Sequence, residues 1–312
     1  MKNKFSNKSK KSLSFSGVDE TFNTYNIIYL VHGHEHFLKE SYFSLLSLFS
    51  HNIKKKFKLH IYTDRPDFFQ NFNHLNVNFI ELDERKIKSW KGVHQFNHRL
   101  KIKVLIDICN KFPNGKYMFL DSDTYVTSPL NSLLESIKPN QFIMDYDEGP
   151  LTQKKRTHIK NLYEFLVKNE DFGIKLNPEL HMWNSGVIGF DYLNHNILDN
   201  VLKTTDLLTQ HINSHILEQF AFAYHFQNNG KVKNSSDVIH HYWYFKEMRK
   251  LINVFIQENQ NKRLDGQLKN VLKLNPQHIG IEKWNYKRGS FWSKLLFRLT
   301  HLRKWKPVLN HS

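Results

Sequence analysis

An α/β domain on a mostly parallel central sheet, with helices on both faces and a helical C-terminal tail, is predicted by three observations. Short apolar runs rich in β-branched residues alternate with stretches of helical apolar spacing. Nearly every apolar run ends in polar residues, where ligands sit on such sheets. At 312 residues and 40% hydrophobic content, the chain can bury a large core.

Residues 1–22 are rich in Ser, Lys and Asn without period and are expected to form a disordered basic arm. The α/β domain is expected over 23–250. Its first strand is read at 26–31, and apolar residues at helical spacing over 35–50 (Phe37, Leu38, Tyr42, Leu45, Leu46, Phe49) predict a helix. Strands follow at 58–64, stopped by Pro66, and at 77–82. Leu100, Val104, Leu105 and Ile108 share one face of a helix over 99–110, which Pro113-Asn114-Gly115 breaks. A strand at 116–120 runs into Asp121-Ser122-Asp123, and another is read at 141–145. Residues 150–180 are less regular and are read as a lid or insertion. A strand with two glycines at 184–190, helices over 192–211 and 214–227, and a last strand at 237–243 complete the domain. Residues 251–312 are read as a basic helical tail.

The single cysteine, Cys109, rules out a disulfide framework and a thiolate metal site. The N-terminus lacks the apolar core of a signal peptide, and no run of about 18 apolar residues predicts a transmembrane helix. A cytoplasmic location, or a peripheral one on the inner face of a membrane, is therefore expected. The net charge of +16 favours acidic partners. Five lysines fall within the first eleven residues, and eight Lys or Arg with no Asp or Glu lie from Lys283 onward, so much of the charge is terminal. Residues 286–306 interleave aromatics, leucines and cations. Such a helix either lies in a membrane interface or docks its apolar face on the domain. No nucleic-acid-binding motif accompanies the charge, so a nucleic-acid partner is not expected.

Five constellations carry the chemistry. Asp121 and Asp123, one residue apart at a strand end, can converge on Mg²⁺ or Mn²⁺, oxygen-preferring ions that bridge carboxylates to phosphates. A plain Asx-type turn is the alternative. Arg99 offers a planar fork for phosphate or sugar oxygens, with Lys103 a turn further on; a solvated helix face is the alternative. Asn184 in an apolar strand needs buried partners, and Gly186 permits close approach of the backbone to a ligand. Gln219 and Glu218 open a helix. His240 and His241 are imidazoles suited to Mn²⁺; alternation along a strand lets only one of them face the site. At the ends of the first two strands, His32 and Asp64 are candidate contacts for a nucleotide.

Tyr117-Met118-Phe119-Leu120-Asp121-Ser122-Asp123-Thr124-Tyr125-Val126 resembles the D-x-D segment of GT-A fold glycosyltransferases. It is most similar to glycosyltransferase family 8, the group of glycogenin and bacterial lipopolysaccharide galactosyltransferases. The resemblance spans roughly residues 25–245, with five motifs in the expected order. It implies a GT-A, Rossmann-like sheet and a metal-dependent transfer of a hexose, with a UDP-linked donor and a saccharide or lipid-linked acceptor. It implies that Asp121 and Asp123 hold Mn²⁺ or Mg²⁺ with a late histidine, aligned with His240 in preference to His241. Arg99, Lys103, Ser122, Asn184, Ser185 and Gly186 would line the nucleotide-sugar site, with His32 and Asp64 at the base and ribose. Gln219 would lie beside the anomeric carbon, with Glu218 where the family has Asp. Tyr244-Phe245-Lys246 stands where the family has Gly-x-x-Lys-Pro-Trp, and Lys246 would reach the diphosphate. Asp123, Gln219 and Arg99 are thus the implied catalytic set. Asp145, Asp147 and Glu148 are the candidate bases for an inverting reaction.

Two other functions are open to this sequence. A sugar-phosphate nucleotidyltransferase would need a Gly-rich loop after the first strand, where only Gly33 stands. A non-catalytic nucleotide-sugar- or nucleic-acid-binding protein would lack metal-dependent turnover.

Overall fold

A computed structural model describes residues 24–51, 57–153 and 156–301. The expected arm at 1–22 and the tail beyond 301 lie outside the described residues.

The elements run β1 (Tyr25–Val31), α1 (Glu35–Phe49), β2 (Phe57–Thr63), β3 (Val77–Glu81), α2 (Glu84–Trp90), α3 (Arg99–Lys111), β4 (Lys116–Leu120) and β5 (Thr124–Val126). They continue with α4 (Asn131–Glu135), β6 (Gln141–Met144), β7 (Asp147–Pro150), α5 (Thr157–Lys168), β8 (His181–Trp183), β9 (Val187–Asp191), α6 (Ile197–Thr209) and α7 (Leu217–Asn229). β10 (Lys231–Asn234), β11 (Ile239–His241), α8 (Met248–Asn259), α9 (Leu264–Val271), α10 (Pro276–Arg288) and α11 (Phe291–His301) complete the series.

The central sheet has seven strands in the order β10-β6-β9-β4-β1-β2-β3. β1 pairs in parallel with β2 and β4, β2 with β3, and β10 with β6; β9 alone runs antiparallel, between β4 and β6. The expected mixed α/β architecture is therefore the observed one. β1 shows why its sequence reads as a continuous apolar run. Ile27, Tyr29 and Val31 face the core shared with α1, while Ile28 faces the opposite core shared with α3. A strand buried on both faces has no polar side to alternate with.

Three local expectations are corrected. The last strand does not join the main sheet: β11 pairs antiparallel with β5, in a two-stranded ribbon beyond the end of β4. Residues 150–180 are less regular in part, as expected, but they hold a helix that the sequence reading missed, α5. β7 and β8 pair, and α5 packs Ile159, Leu162 and Leu166 against Met182, Leu217 and Phe220 in a third core. Periodicity in α5 was obscured by the turns and short strands around it. The sheet's edge strand β10, Lys231-Val232-Lys233-Asn234, carried no strand signal because charged edge strands block further pairing. The helix expected from 192 begins at Ile197, because Asp191 caps a tight 3₁₀ turn at 192–194 by accepting from Leu193 N–H. Among the described residues from Met248 to His301 the chain is helical as expected, and α8 and α9 bury Leu251, Ile252, Phe255 and Val271 in the core that α1 also fills.

Candidate active site

Asp121 and Asp123 leave the carboxyl end of β4, and the β5–β11 ribbon folds His241 back over them. The register His241↔Thr124 and Tyr242 N–H donating to the Asp123 carbonyl (3.0 Å) set this approach. His241 Nε2 lies 3.1 Å from Asp123 Oδ1 and 4.0 Å from Asp121 Oδ2. One ligand atom from each of the three residues falls within 4.8 Å of the others. Two carboxylate oxygens and one imidazole nitrogen form a donor set that suits Mn²⁺ or Mg²⁺.

The second ring nitrogen of His241 is also held. Nδ1 lies 2.9 Å from Asp145 Oδ2 and 3.0 Å from Asn184 Oδ1. A carboxylate on Nδ1 fixes the ring's orientation and leaves Nε2 for a cation. Asp145, one of the candidate bases, is 1% exposed and lies behind the histidine, in contact with its Nδ1. Burial works against a charged His241, but Asp123 and Asp145 outweigh it and hold the ring up at about 10. Burial likewise opposes ionised Asp123, but His241 and Lys246 bring its carboxyl down to about 2.

The alignment that favoured His240 is corrected here. His240 pairs with Tyr125 and faces the other side of the ribbon, where its Nε2 is buried with no hydrogen-bond partner among the described residues. Burial lowers its pKa to about 4. Alternation admits one histidine, and the pairing with β5 chooses His241.

On α3 a cation that the sequence reading did not single out stands at the carboxylates. Arg99 does not reach Asp121. Its guanidinium grips Asp206 (2.6 and 3.0 Å) and the Trp90 carbonyl (2.7 Å). The α3 cation at the site is Lys101, whose Nζ lies 3.1 Å from Asp121 Oδ2, 2.9 Å from the Ser185 carbonyl and 3.3 Å from Glu218 Oε1. Residues two apart on a helix differ by about 200°, so Arg99 and Lys103 stand away from the face that Lys101 presents. Lys103 is half-buried. The signal for Lys101 was in the sequence: it precedes Val104, Leu105 and Ile108 by three, four and seven residues, on the buried stripe. Burial opposes the Lys101 charge, but Asp121 and Glu218 raise its pKa above the usual lysine range. Burial lifts Glu218 to about 7 against the pull of Lys101, and lifts Asp121 as well.

Asn184, Ser185 and Gly186 are brought to this cluster. Asn184 Oδ1 accepts from Gly186 N–H (2.9 Å), and Ser185 Oγ donates to Glu218 Oε2 (3.2 Å). Gly186 accommodates a protein side chain: a Cβ there would fall 2.1 Å from His241 Nδ1. Ser122 sits half-buried in the turn between the two aspartates. Lys246 is largely exposed with Nζ 3.8 Å from Asp123 Oδ2. Gln219 is half-buried on the first turn of α7, next to Glu218.

At the ends of β1 and β2, Asp64 Oδ2 accepts from Gly33 N–H (3.0 Å), beside His32. Burial lowers the His32 pKa, with Lys91 adding to it. Gly33 has φ 81°, the left-handed region that glycine enters without strain. Asp147 pairs with His181 (2.6 Å), and Glu148 Oε1 is shared by Tyr146, Arg156 and Asn184.

No protein-family model matches the chain, and no curated protein matches it in sequence. Solved structures similar to it include the galactosyltransferase LgtC in complex with donor and acceptor sugar analogs, at 12% identity over 67% of this chain and 73% of that one, TM-score 0.48. Mouse xyloside xylosyltransferase 1 in its apo form shows 14% identity over 64% and 80%, TM-score 0.44. The glycosyltransferase GlyE of Streptococcus pneumoniae TIGR4 shows 15% identity over 67% and 45%, TM-score 0.43. Likenesses this distant say nothing about chemistry, which rests on the residues themselves.

Proposed function

We propose that the chain is a metal-dependent glycosyltransferase that moves a hexose from a nucleotide sugar, UDP-linked in the first instance, to a saccharide or lipid-linked acceptor. The observation that carries this reading is the convergence of Asp121, Asp123 and His241 at a strand end, with Lys101 and Lys246 against the two carboxylates. A bound Mn²⁺ or Mg²⁺ would supply Lewis-acid stabilisation of the departing diphosphate. Asp145 orients His241, and Gly186 leaves room for its ring. Lys246, the exposed cation, stands where negative charge would develop on the leaving group, the kind of fixed charge that lowers such barriers most. Lys101 holds Asp121 in place, a positioning duty that its burial favours. His32, Gly33 and Asp64 are available to the base and ribose, and Asn184, Ser185 and Gln219 to the sugar. The D-x-D, Asn-Ser-Gly and late-histidine segments that resemble family 8 all lie at this cluster, which supports the sugar-transfer reading over a nucleotidyltransferase.

A screen of UDP-, GDP- and dTDP-sugars for Mn²⁺-dependent donor hydrolysis tests the proposal. Turnover of one donor, lost with chelator and reduced at least about a hundredfold in Asp123→Ala, is the expected result. No turnover and no metal-dependent nucleotide binding across the panel would sink it.

A further inference from the structure

We infer that a cavity between α1, the 3₁₀ helix Pro66–Phe72, α8 and α9 is a binding site for a neutral saccharide chain, apart from the catalytic cluster. The cavity holds about 150 Å³. Tyr42, Phe68 and Phe255 form its apolar walls, with Phe68 edge-on to Tyr42 at 6.0 Å between ring centroids. Asn71, Asn259, Gln260 and Gln267 supply its polar lining. Aliphatic side chains fill a seam between helices at least cost, because a buried carboxamide must find partners. Here Gln267 is 2% exposed and Asn259 4%. Tyr42 Oη donates to Gln267 Oε1 (2.7 Å) and accepts from Asn71 Nδ2 (2.8 Å), and Gln267 Nε2 donates to the Lys262 carbonyl (2.9 Å). Lys262 Nζ and Asn270 Nδ2 donate to Asn259 Oδ1 (3.0 and 2.7 Å). This network fixes the carboxamides before any ligand arrives, and it leaves capacity unused. Asn71 Oδ1 and the Gln260 side chain have no hydrogen-bond partner among the described residues, and one Gln267 N–H remains.

The lining selects the ligand. A carboxamide offers a donor and an acceptor side by side, as each sugar hydroxyl does, and aromatic walls suit the C–H faces of a pyranose. No Lys, Arg, His, Asp or Glu lines this cavity, so it has no counter-charge for a phosphate or a carboxylate. A second recess of about 420 Å³ adjoins it through the shared Asn71. Gln70 and His74 line that recess, and its cations Lys262 and Arg263 stand beside Asp265, whose charge opposes a polyphosphate. A chain of more than one sugar ring can therefore run from the first recess into the second. The site shares no residue with the cluster of Asp121, Asp123 and His241. The two are joined through α9, whose Val271 carbonyl accepts from Tyr125 Oη (3.1 Å) in the ribbon that carries His241. Holding a distal part of the acceptor is the use such a site offers a transferase, and that use rests on the proposed function. The saccharide contact itself does not.

The test applies the labelled full chain to an array of neutral oligosaccharides of varied hexose and linkage, and measures the hits by calorimetry. Binding of at least one is expected, unchanged in Asp123→Ala and weakened at least about tenfold in Asn71→Ala/Gln260→Ala. The double variant should keep a thermal midpoint close to the parent's, since both side chains are exposed. Several results would overturn the inference: no binding across the array, undiminished binding by the double variant, or loss of binding in Asp123→Ala, which would put the saccharide at the catalytic cluster. Tighter binding of a nucleoside phosphate that the double variant abolishes would assign the cavity to a nucleotide instead. Saccharide binding without donor hydrolysis would uphold this site and count against the proposed function alone.

Discussion

Two groups of residues at the carboxyl ends of the central strands are built differently. At the end of β4, Asp121, Asp123, Asp145, Glu218, Lys101 and His241 form one bonded cluster in which each charge lies against an opposite one. At the ends of β1 and β2, the Asp64 carboxylate is held by one described hydrogen bond, from Gly33 N–H. Buried charge must be paired to be tolerated, so the first end is rigid and fixed in advance. Exposed groups can wait for a ligand, so the second end can adapt to it. The difference suits a site where charge develops at one end and a base is merely recognised at the other.

The largest way to break this contrast is Lys101→Met. It would leave Asp121 and Glu218 facing each other without their cation, and unfolding in denaturant should show a loss of about 3–5 kcal/mol. Adding Glu218→Gln should restore part of it, a non-additivity that an isolated surface pair would not show.

Acid should weaken the fold through groups outside the cluster. His60 in β2 is held at about 4 by burial, bonded to Asn26 (2.9 Å). Between about 6.5 and 4 the unfolded chain binds a proton that the folded one refuses. The neutral ring's contribution is therefore complete above pH 6.5 and declines as pH falls through this window, by up to about 3 kcal/mol. His98 and His225, also lowered to about 4 by burial, act in the same direction. A denaturation midpoint that stays flat from pH 7 to 4.5 would contradict this, and His60→Gln should reduce the slope.

Gly186→Ala sharpens the comparison within the cluster. The added methyl must displace the His241 ring. About 1–3 kcal/mol of stability should be lost, and Mn²⁺ affinity by calorimetry should fall about 10–100-fold. The smallest effect is expected at the open end. Asp64→Ala removes one exposed hydrogen bond and should change stability by no more than about 1 kcal/mol, while nucleotide affinity drops about tenfold. An equally large stability loss at Asp64 would erase the distinction between the two ends.

Much of the scaffold was legible because sheet strands buried on both faces leave continuous apolar runs, as in Ile27-Ile28-Tyr29-Leu30-Val31. The β5–β11 ribbon was not, because Thr124-Tyr125-Val126 is three residues long and follows a turn directly. α5 was hidden among short turns, and β10 by its lysines. At the site, the Asp121-Ser122-Asp123 turn was found at a strand end, whereas Asn184-Ser185-Gly186 was read as part of a strand that begins only at Val187 and runs antiparallel to β4. Asp145 was noticed as a candidate base, and only its contact with His241 Nδ1 shows which way it faces.

By itself, the sequence determined the alternation of strands and helices, the two carboxylates at the end of a strand, and a histidine pair of which one member would face them. Only the tertiary structure decided that the member is His241 and that the cation on α3 is Lys101. Periodicity specifies how side chains differ in direction along one element, but not the absolute phase. The partner sets that phase: β5 for the histidine pair, and the Asp121 and buried Glu218 carboxylates for the lysine.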